Sequence, residues 1–285
     1  MNEPHLAIGP LMKAARKFKK FNQSDVAQAI GCSQSALSKM EHNLLIPNAP
    51  QWFLFSRFTS IPPETIETGV INRHSRVKLN NDNVSIGFKL PKRYRSNRSQ
   101  KVREIYPMFS YLEKVIDGEE FIQFKEKLGI DLEFFVDFDN LVNFQLIVDL
   151  VNHYIRLEMT SPKNIQDLVN FGQDDLYWDD FIDKWKGLDG PQTVLAQFAQ
   201  EQPFFQVDFK IQLEIGQNNF FLSYLPEAHV FHFLKDLKPE TIEWLSLYRK
   251  LSLESLIEKT LGKKIEVRHV PSLTHSPLED RFEIH

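Results

Sequence analysis

Residues 205–216 read FQVDFKIQLEIG, in which Phe205, Val207, Phe209, Ile211, Leu213 and Ile215 alternate with Gln206, Asp208, Lys210, Gln212 and Glu214. A period of two places each set on one side of an extended chain, so the stretch predicts a strand with one wet face. The turn residues GQNN then lead into NFFLSYL, which predicts a hairpin. Residues 140–158 follow a different period: Leu141, Phe144, Ile147, Val148, Val151 and Ile155 recur at spacings of three and four and line one helical face. YPMFSYLEKVI, GEEFIQFKEKLG (with Phe121, Phe124 and Leu128 on one side), IQDLVNFG and GPQTVLAQFAQ predict further helices. Residues 239–262 predict a long helix opened by Pro239, followed by strands in KIEVRHV and RFEIH. Residues 106–285 therefore read as an α+β or mixed α/β domain.

The N-terminal pattern is sparser. PLMKAARKFKKF (residues 10–21) predicts a helix with Leu11, Ala14 or Ala15, and Phe18 on one face, and Lys13, Arg16, Lys17 and Lys20 largely elsewhere. NQSDVAQAIGCSQSALSKMEH (residues 22–42) predicts two short helices. The first is capped by Asn22, carries Asp25 near its positive end and buries Val26, Ala27 and Ile30. Gly31 permits a left-handed turn, and Ser33 caps a third helix from Gln34 to about His42, with Leu37 and Met40 inward. Two helices so tightly joined cross closely only over a small residue, here Ala27. The third helix then exposes Gln34, Ser35, Ser38 and Lys39 as a polar edge narrow enough for a DNA major groove.

The pattern Gln23, Ala27, Gly31, Ser33, Leu37, Ser38 and Glu41, followed by Pro47, closely resembles the phage-repressor and Cro-type (XRE-like) helix-turn-helix regulators over residues 8–68. The resemblance implies an all-α N-terminal domain, with a fourth helix in NAPQWFLFSRF, a fifth beginning at PPETI, and double-stranded DNA as partner. It implies DNA contacts from Gln23, Gln34, Ser35 and Lys39, with Ser38 on the same edge and Asn43 in the loop that meets the backbone. Gln23 would bind a phosphate or orient a neighbour, Gln34 has the donor and acceptor that suit adenine N6 and N7, and Ser35 and Lys39 would reach base edges or phosphate. It also implies a structural bridge between Arg16 and Glu41, with Ala27 and Gly31 as scaffold. The loop NLLIPN departs from the pattern, because Leu44, Leu45 and Ile46 stand where a glycine and basic residues are usual. That weakens phosphate contact and points to an apolar contact with the rest of the chain or with a second subunit.

At the other end, the succession of hairpin, long helix, LGKKIEVRHV and a short terminal strand looks like the C-terminal part of small-molecule-sensing domains related to the vinyl-reductase and haem-nitric-oxide-binding-like families. Some relatives have Gly-Asp and Cys before the final strand; THSPLEDRFEIH has neither the cysteine nor the matching glycine, which removes a cysteine-dependent role.

Charge sharpens this division. Residues 1–105 hold 17 Lys+Arg and 7 Asp+Glu, net +10, whereas residues 106–285 hold 17 and 31, net −14, consistent with the overall −4. A basic N-terminal third draws toward a polyanion that the acidic remainder repels. Residues 69–105 read as a partly ordered basic connector. In it Lys92, Arg93, Arg95 and Arg98, with Lys101 and Arg103, are candidates either for phosphate contact or for pairing with the acidic domain.

Candidate chemistry is otherwise thin. With 285 residues and 42% hydrophobic content the chain can build two cores. It has no apolar run of membrane-spanning length and no secretory leader pattern, so a cytoplasmic protein without a membrane partner is expected. The single Cys32 supports neither an internal disulfide nor a metal cluster. His229 and His232, with His269, His275 and His285, lack a metal-ligand motif. Asp137 and Asp139 read as a helix cap, and His153, Tyr154 and Arg156 as pocket-edge groups. No catalytic residue, metal or cofactor is expected. The expectation is a homodimeric, sequence-specific DNA-binding transcriptional regulator, with a C-terminal domain that senses a small-molecule effector, dimerises or binds a protein partner. The alternative is a protein-interaction scaffold that uses the same N-terminal fold without DNA.

Overall fold

The computed structural model describes residues 8–19, 21–59, 90–130, 133–136, 140–174, 185–216, 219–234, 237–271 and 279–285. The fifth helix, residues 60–89 of the N-terminal part and the connector, Asp137, Asp139 and His275 lie outside them. In chain order the elements are α1 (Ile8–Phe18), α2 (Gln23–Ala29), α3 (Gln34–Glu41), α4 (Ala49–Thr59), α5 (Lys92–Arg95), β1 (Gln100–Lys101), α6 (Val102–Val115), α7 (Gly118–Leu128) and α8 (Glu133–Val136). There follow β2 (Leu141–Val142), α9 (Phe144–Arg156), α10 (Pro162–Asp174), α11 (Pro191–Glu201), β3 (Phe209–Ile215), β4 (Phe220–Pro226), α12 (Phe231–Leu234), α13 (Pro239–Leu261), β5 (Val267–Val270) and β6 (Asp280–Ile284). An all-α N-terminal part thus precedes a part with both helices and sheet. Contacts divide the described residues into two compact units, one holding those up to 91 and from 122 to 140, the other those from 92 to 121 and from 141 onward. Residues 122–140, which follow the basic connector in sequence, therefore belong with the N-terminal helices.

Local chemistry builds the first unit. Asn22 caps α2 by accepting from the Asp25 N–H at 2.9 Å, and Ser33 caps α3 by accepting from the Ala36 N–H at 3.1 Å. Asn48 and Gln51 exchange two hydrogen bonds at the start of α4, each side chain serving the other's N–H. Gly31 turns the chain between α2 and α3 at φ +70°, a conformation that costs a residue with a Cβ about 1 kcal/mol or more. Leu11, Ala14 and Ala15 of α1 meet Val26, Ala27 and Ile30 from the second helix, Leu37 and Met40 of α3, and Trp52 and Phe55 of α4 in one buried core. Gly9 comes so close to the end of α3 that a Cβ there would lie 2.4 Å from the Met40 carbonyl oxygen. Phe124 and Leu128 of α7 and Phe134 and Phe135 of α8 are buried in the same unit, with α8 packed on α1.

In the second unit β3, β4, β6 and β5 form, in that spatial order, a four-stranded antiparallel sheet. Helix α13 packs on α9, α10, α11 and β5 and ends at Gly262, whose φ of +65° and bond to the Glu258 carbonyl close the last turn. Gly172 lets α10 approach α6, since a Cβ there would lie 2.9 Å from the Pro107 Cβ. Asp280 of β6 accepts from Arg249 and Ser246 of α13 and from the His269 ring of β5, tying helix to sheet. Burial pushes this carboxyl up, but the Arg249 charge and the three donors outweigh it and hold it down at about 2.

Two of the element boundaries that differ from the sequence pattern do so for one reason. The helix expected from residue 140 begins at Phe144, because Leu141 and Val142 pair antiparallel with Lys101 and Gln100. The strand expected from Phe205 begins at Phe209. Before it, the Lys101 N–H donates to the Phe205 carbonyl, the Val207 N–H donates to the Ser99 carbonyl, and the Gln206 Oε1 accepts from the N–H groups of Asp208 and Phe209. Segment 99–101 thus supplies backbone partners to both stretches, which side-chain periodicity cannot register. Among the described residues, no helix is long and apolar enough to cross a membrane.

Candidate functional site

In the first unit, α3 presents Gln34, Ser35 and Lys39 as exposed side chains, with Ser38 half-buried, while Leu37 and Met40 hold the opposite face in the core. The helix is fixed from below by Glu41, which is 2% exposed. Its carboxylate accepts from the Arg16 Nε at 2.5 Å, from a second Arg16 nitrogen at 2.9 Å and from the Gln23 Nε2 at 2.9 Å. Gln23 is therefore committed to orienting Glu41. A second Arg16 contact, to the Phe21 carbonyl at 3.2 Å, ties the α1–α2 connection to the same group. Asn43, at φ +56°, uses its side-chain oxygen to accept from the Gly9 N–H at 2.9 Å. Beyond it Leu44 and Ile46 are 77% and 76% exposed. Cys32 is half-buried with a thiol pushed up chiefly by burial, and its Sγ donates to the Ser33 carbonyl at 3.4 Å.

The basic connector residues separate by burial. Lys92, Arg93 and Arg95 of α5 are exposed, and the Arg93 guanidinium lies 3.5 Å from Asp149 and 4.6 Å from the centre of the Tyr94 ring. Arg98, a candidate for phosphate contact or for pairing with the acidic domain, is 3% exposed, and Lys101 and Arg103 are likewise buried. The pairing of β1 with β2 and with residues 205–207 draws this segment into the fold, so these three cations are not offered to a polyanion.

The remaining candidates serve the architecture. His229 lies 2.8 Å from Asp208, which also accepts from Ser99; His269 binds Asp280 and His285 binds Glu283. Among the described residues, no three metal donors come together. Tyr154 donates to the Met108 carbonyl at 2.6 Å, and Arg156 pairs with His153 and Glu120.

Sequence patterns did not signal a cavity of about 160 Å³ inside the second unit. Its walls include Phe144, Phe198, Phe205, Phe209, Tyr224 and Tyr248, with Gln100, Glu104, Arg249 and Ser252 as polar members. These positions come from β1, α6, α9, α11, β3, β4 and α13, and only folding collects them. Arg249 lies 4.0 Å from the Phe209 ring centre and 5.1 Å from that of Tyr224, its charge matched by Asp280. Glu104 differs. Among the described residues its carboxyl has no hydrogen bond or ion pair, and burial pushes it up to about 7, opposed by the charges of Arg103 and Lys101.

This shift sets a pH dependence. Below about pH 4.5 the carboxyl is protonated whether the chain is folded or not, and contributes nothing to the difference. Between about 4.5 and 7 the folded state holds a proton that the unfolded state has lost, so stability falls as pH rises. Above that window the full cost, about 3 kcal/mol, is present. Glu104→Gln is therefore expected to gain about 3 kcal/mol relative to wild type between pH 4 and pH 8. Urea unfolding at the two pH values checks this; a variant whose difference from wild type is the same at both would contradict it.

Residues 12–66 match the HTH_3 helix-turn-helix family model. No curated protein matches the chain. One solved structure, described as "Modulating Heme Redox Potential Through Protein-Induced Porphyrin Distortion", is similar over 65% of this chain and 97% of its own, with 6% identity and a TM-score of 0.45. At that score the likeness carries no conclusion about fold or ligand. The family match coincides with the capped α2–α3 pair and its Arg16–Glu41 lock, and the N-terminal part of the chain is thereby a helix-turn-helix domain.

Proposed function

We propose that this protein is a sequence-specific DNA-binding transcriptional regulator, with α3 entering the major groove and the second unit receiving a small-molecule effector. The observation that carries the reading is the exposed edge of Gln34, Ser35 and Lys39 on a helix capped by Ser33 and anchored through Glu41. On this reading Gln34 reads a base edge, Lys39 and Ser35 contact base or phosphate, and Asn43 sets the loop beside the backbone. Among the described residues, Lys92, Arg93 and Arg95 are exposed connector cations, and on this reading they contact phosphate. A homodimer follows from mechanism, since one such module reads few base pairs and two half-sites multiply affinity and specificity. The aromatic cavity, with a carboxyl left unengaged, supports the effector role.

Selection of binding sequences from random duplexes with the purified full chain tests this. The expected product is a palindrome with half-sites about one helical turn apart. A second reading, a scaffold that contacts protein through the helix-turn-helix unit, is favoured by the exposure of Leu44 and Ile46. Failure to enrich any duplex at low salt would favour the scaffold.

A further inference from the structure

The cavity's chemistry is lopsided. Its one cationic member among the described residues, Arg249, is already matched by Asp280 and laid over two aromatic rings. Its acidic member is matched by nothing of the kind: among the described residues the Glu104 carboxyl has neither a hydrogen bond nor an ion pair. Glu104 is half-buried and lines the cavity. Gln100, also on the wall and 3% exposed, has a buried Oε1 with no hydrogen-bond partner among the described residues. Two acceptors thus lack donors. Buried acceptors are normally satisfied, so a wall that leaves the Gln100 oxygen unmet beside a half-buried carboxyl calls for a guest rich in N–H groups.

We propose that the cavity takes a small cationic amine with a single-ring apolar body, its ammonium seated against Glu104 and Gln100. The proposal rests on the effector reading above and names the class of effector. Volume limits the body, because a dry cavity of about 150 Å³ accepts one benzene-sized ring. Aromatic walls suit the head as well as the body, since ring faces attract a desolvated ammonium. Glu104 lies in the first turn of α6, where the helix dipole and the charges of Arg103 and Lys101 favour the carboxylate once a cation offsets its burial. Facing it from the other elements are Tyr224 of β4 and Tyr248 and Arg249 of α13. Both phenols are pushed above their ordinary range, first by burial, and remain neutral; Arg249 keeps its charge on Asp280. Glu104 is therefore the group at this wall that changes charge near neutrality.

The test is calorimetric titration of the full chain with benzylamine, benzyl alcohol and benzoate at pH 8. Benzylammonium is expected to bind at least tenfold more tightly than either isostere. Its affinity is expected to fall about tenfold per pH unit below pH 7, where Glu104 must give up a proton to pair with the cation. Glu104→Gln, whose fold loses no pairing, is expected to weaken benzylamine more than tenfold and to abolish that pH dependence. If benzyl alcohol or benzoate binds as well as the amine, or Glu104→Gln binds it unchanged, the cation assignment is overturned while the effector role stands. If no probe binds at millimolar concentration, both fall, and duplex selection still reports separately on α3.

Discussion

Replacing Arg16 with methionine is expected to cost the helix-turn-helix unit about 3–5 kcal/mol. Glu41 is sealed in the core and receives two of its three hydrogen bonds from Arg16. Removing the guanidinium strands a buried carboxylate that the single Gln23 amide cannot compensate. Domains of this kind are stable by only about 5–15 kcal/mol, so the loss is a large share of the total. Hydrogen exchange of the α1–α3 amides reads it in that unit alone, and a cost of about 3 kcal/mol lowers protection roughly a hundredfold. The companion variant Arg16→Met with Glu41→Leu removes both charges, and is expected to recover most of the stability because an apolar pair of similar volume packs well. A single variant within about 1 kcal/mol of wild type would show that the pair is not what anchors α3.

The second large effect concerns recognition. Gln34→Ala with Lys39→Ala is expected to weaken binding to a selected duplex by at least a hundredfold. A bidentate amide–adenine contact is worth about 1–3 kcal/mol, and the lysine adds a charge contact. The two losses should be separable. Gln34→Ala relaxes the preference at one base position, whereas Lys39→Ala acting on phosphate weakens all sequences alike and lowers the salt slope by about 1. Both side chains are exposed, so hydrogen exchange in the unit should not change. If fluorescence anisotropy finds the double variant within threefold of wild type on the selected duplex, α3 is not the reading head.

The helix-turn-helix part of the first unit was legible from sequence because its information is local, whereas the membership of residues 122–140 in that unit was not. Asn22, Ser33, Asp25 and Gly31 act within one turn of their own positions, and the caps and left-handed turn they imply are present in the fold. The pairing of Arg16 with Glu41 was legible only through the likeness to a known pattern, since 25 residues separate them. At Arg98, Lys101 and Arg103 the two readings of the connector, phosphate contact and pairing with the acidic domain, stayed open in the sequence, because a run of cations looks the same whether its backbone is solvated or drawn into a sheet. The same segment moved the starts of α9 and β3 by four residues each from where periodicity placed them. The cavity left no sequence signal: its polar wall joins Gln100, Glu104 and Arg249, and in sequence Glu104 stands in the basic connector, ahead of the helix expected from Tyr106.

The sequence by itself determined the capped α2–α3 turn, the polar edge that α3 shows, and the passage from an all-α part to one with helices and sheet. Each of these follows from residues within a few positions of one another, where backbone geometry and side-chain period act directly. Only the tertiary structure decided which cations are withdrawn from solvent and which carboxyl on the cavity wall is without a partner among the described residues. Both depend on the dielectric and hydrogen-bond environment that distant segments create when they meet, a property no single segment carries.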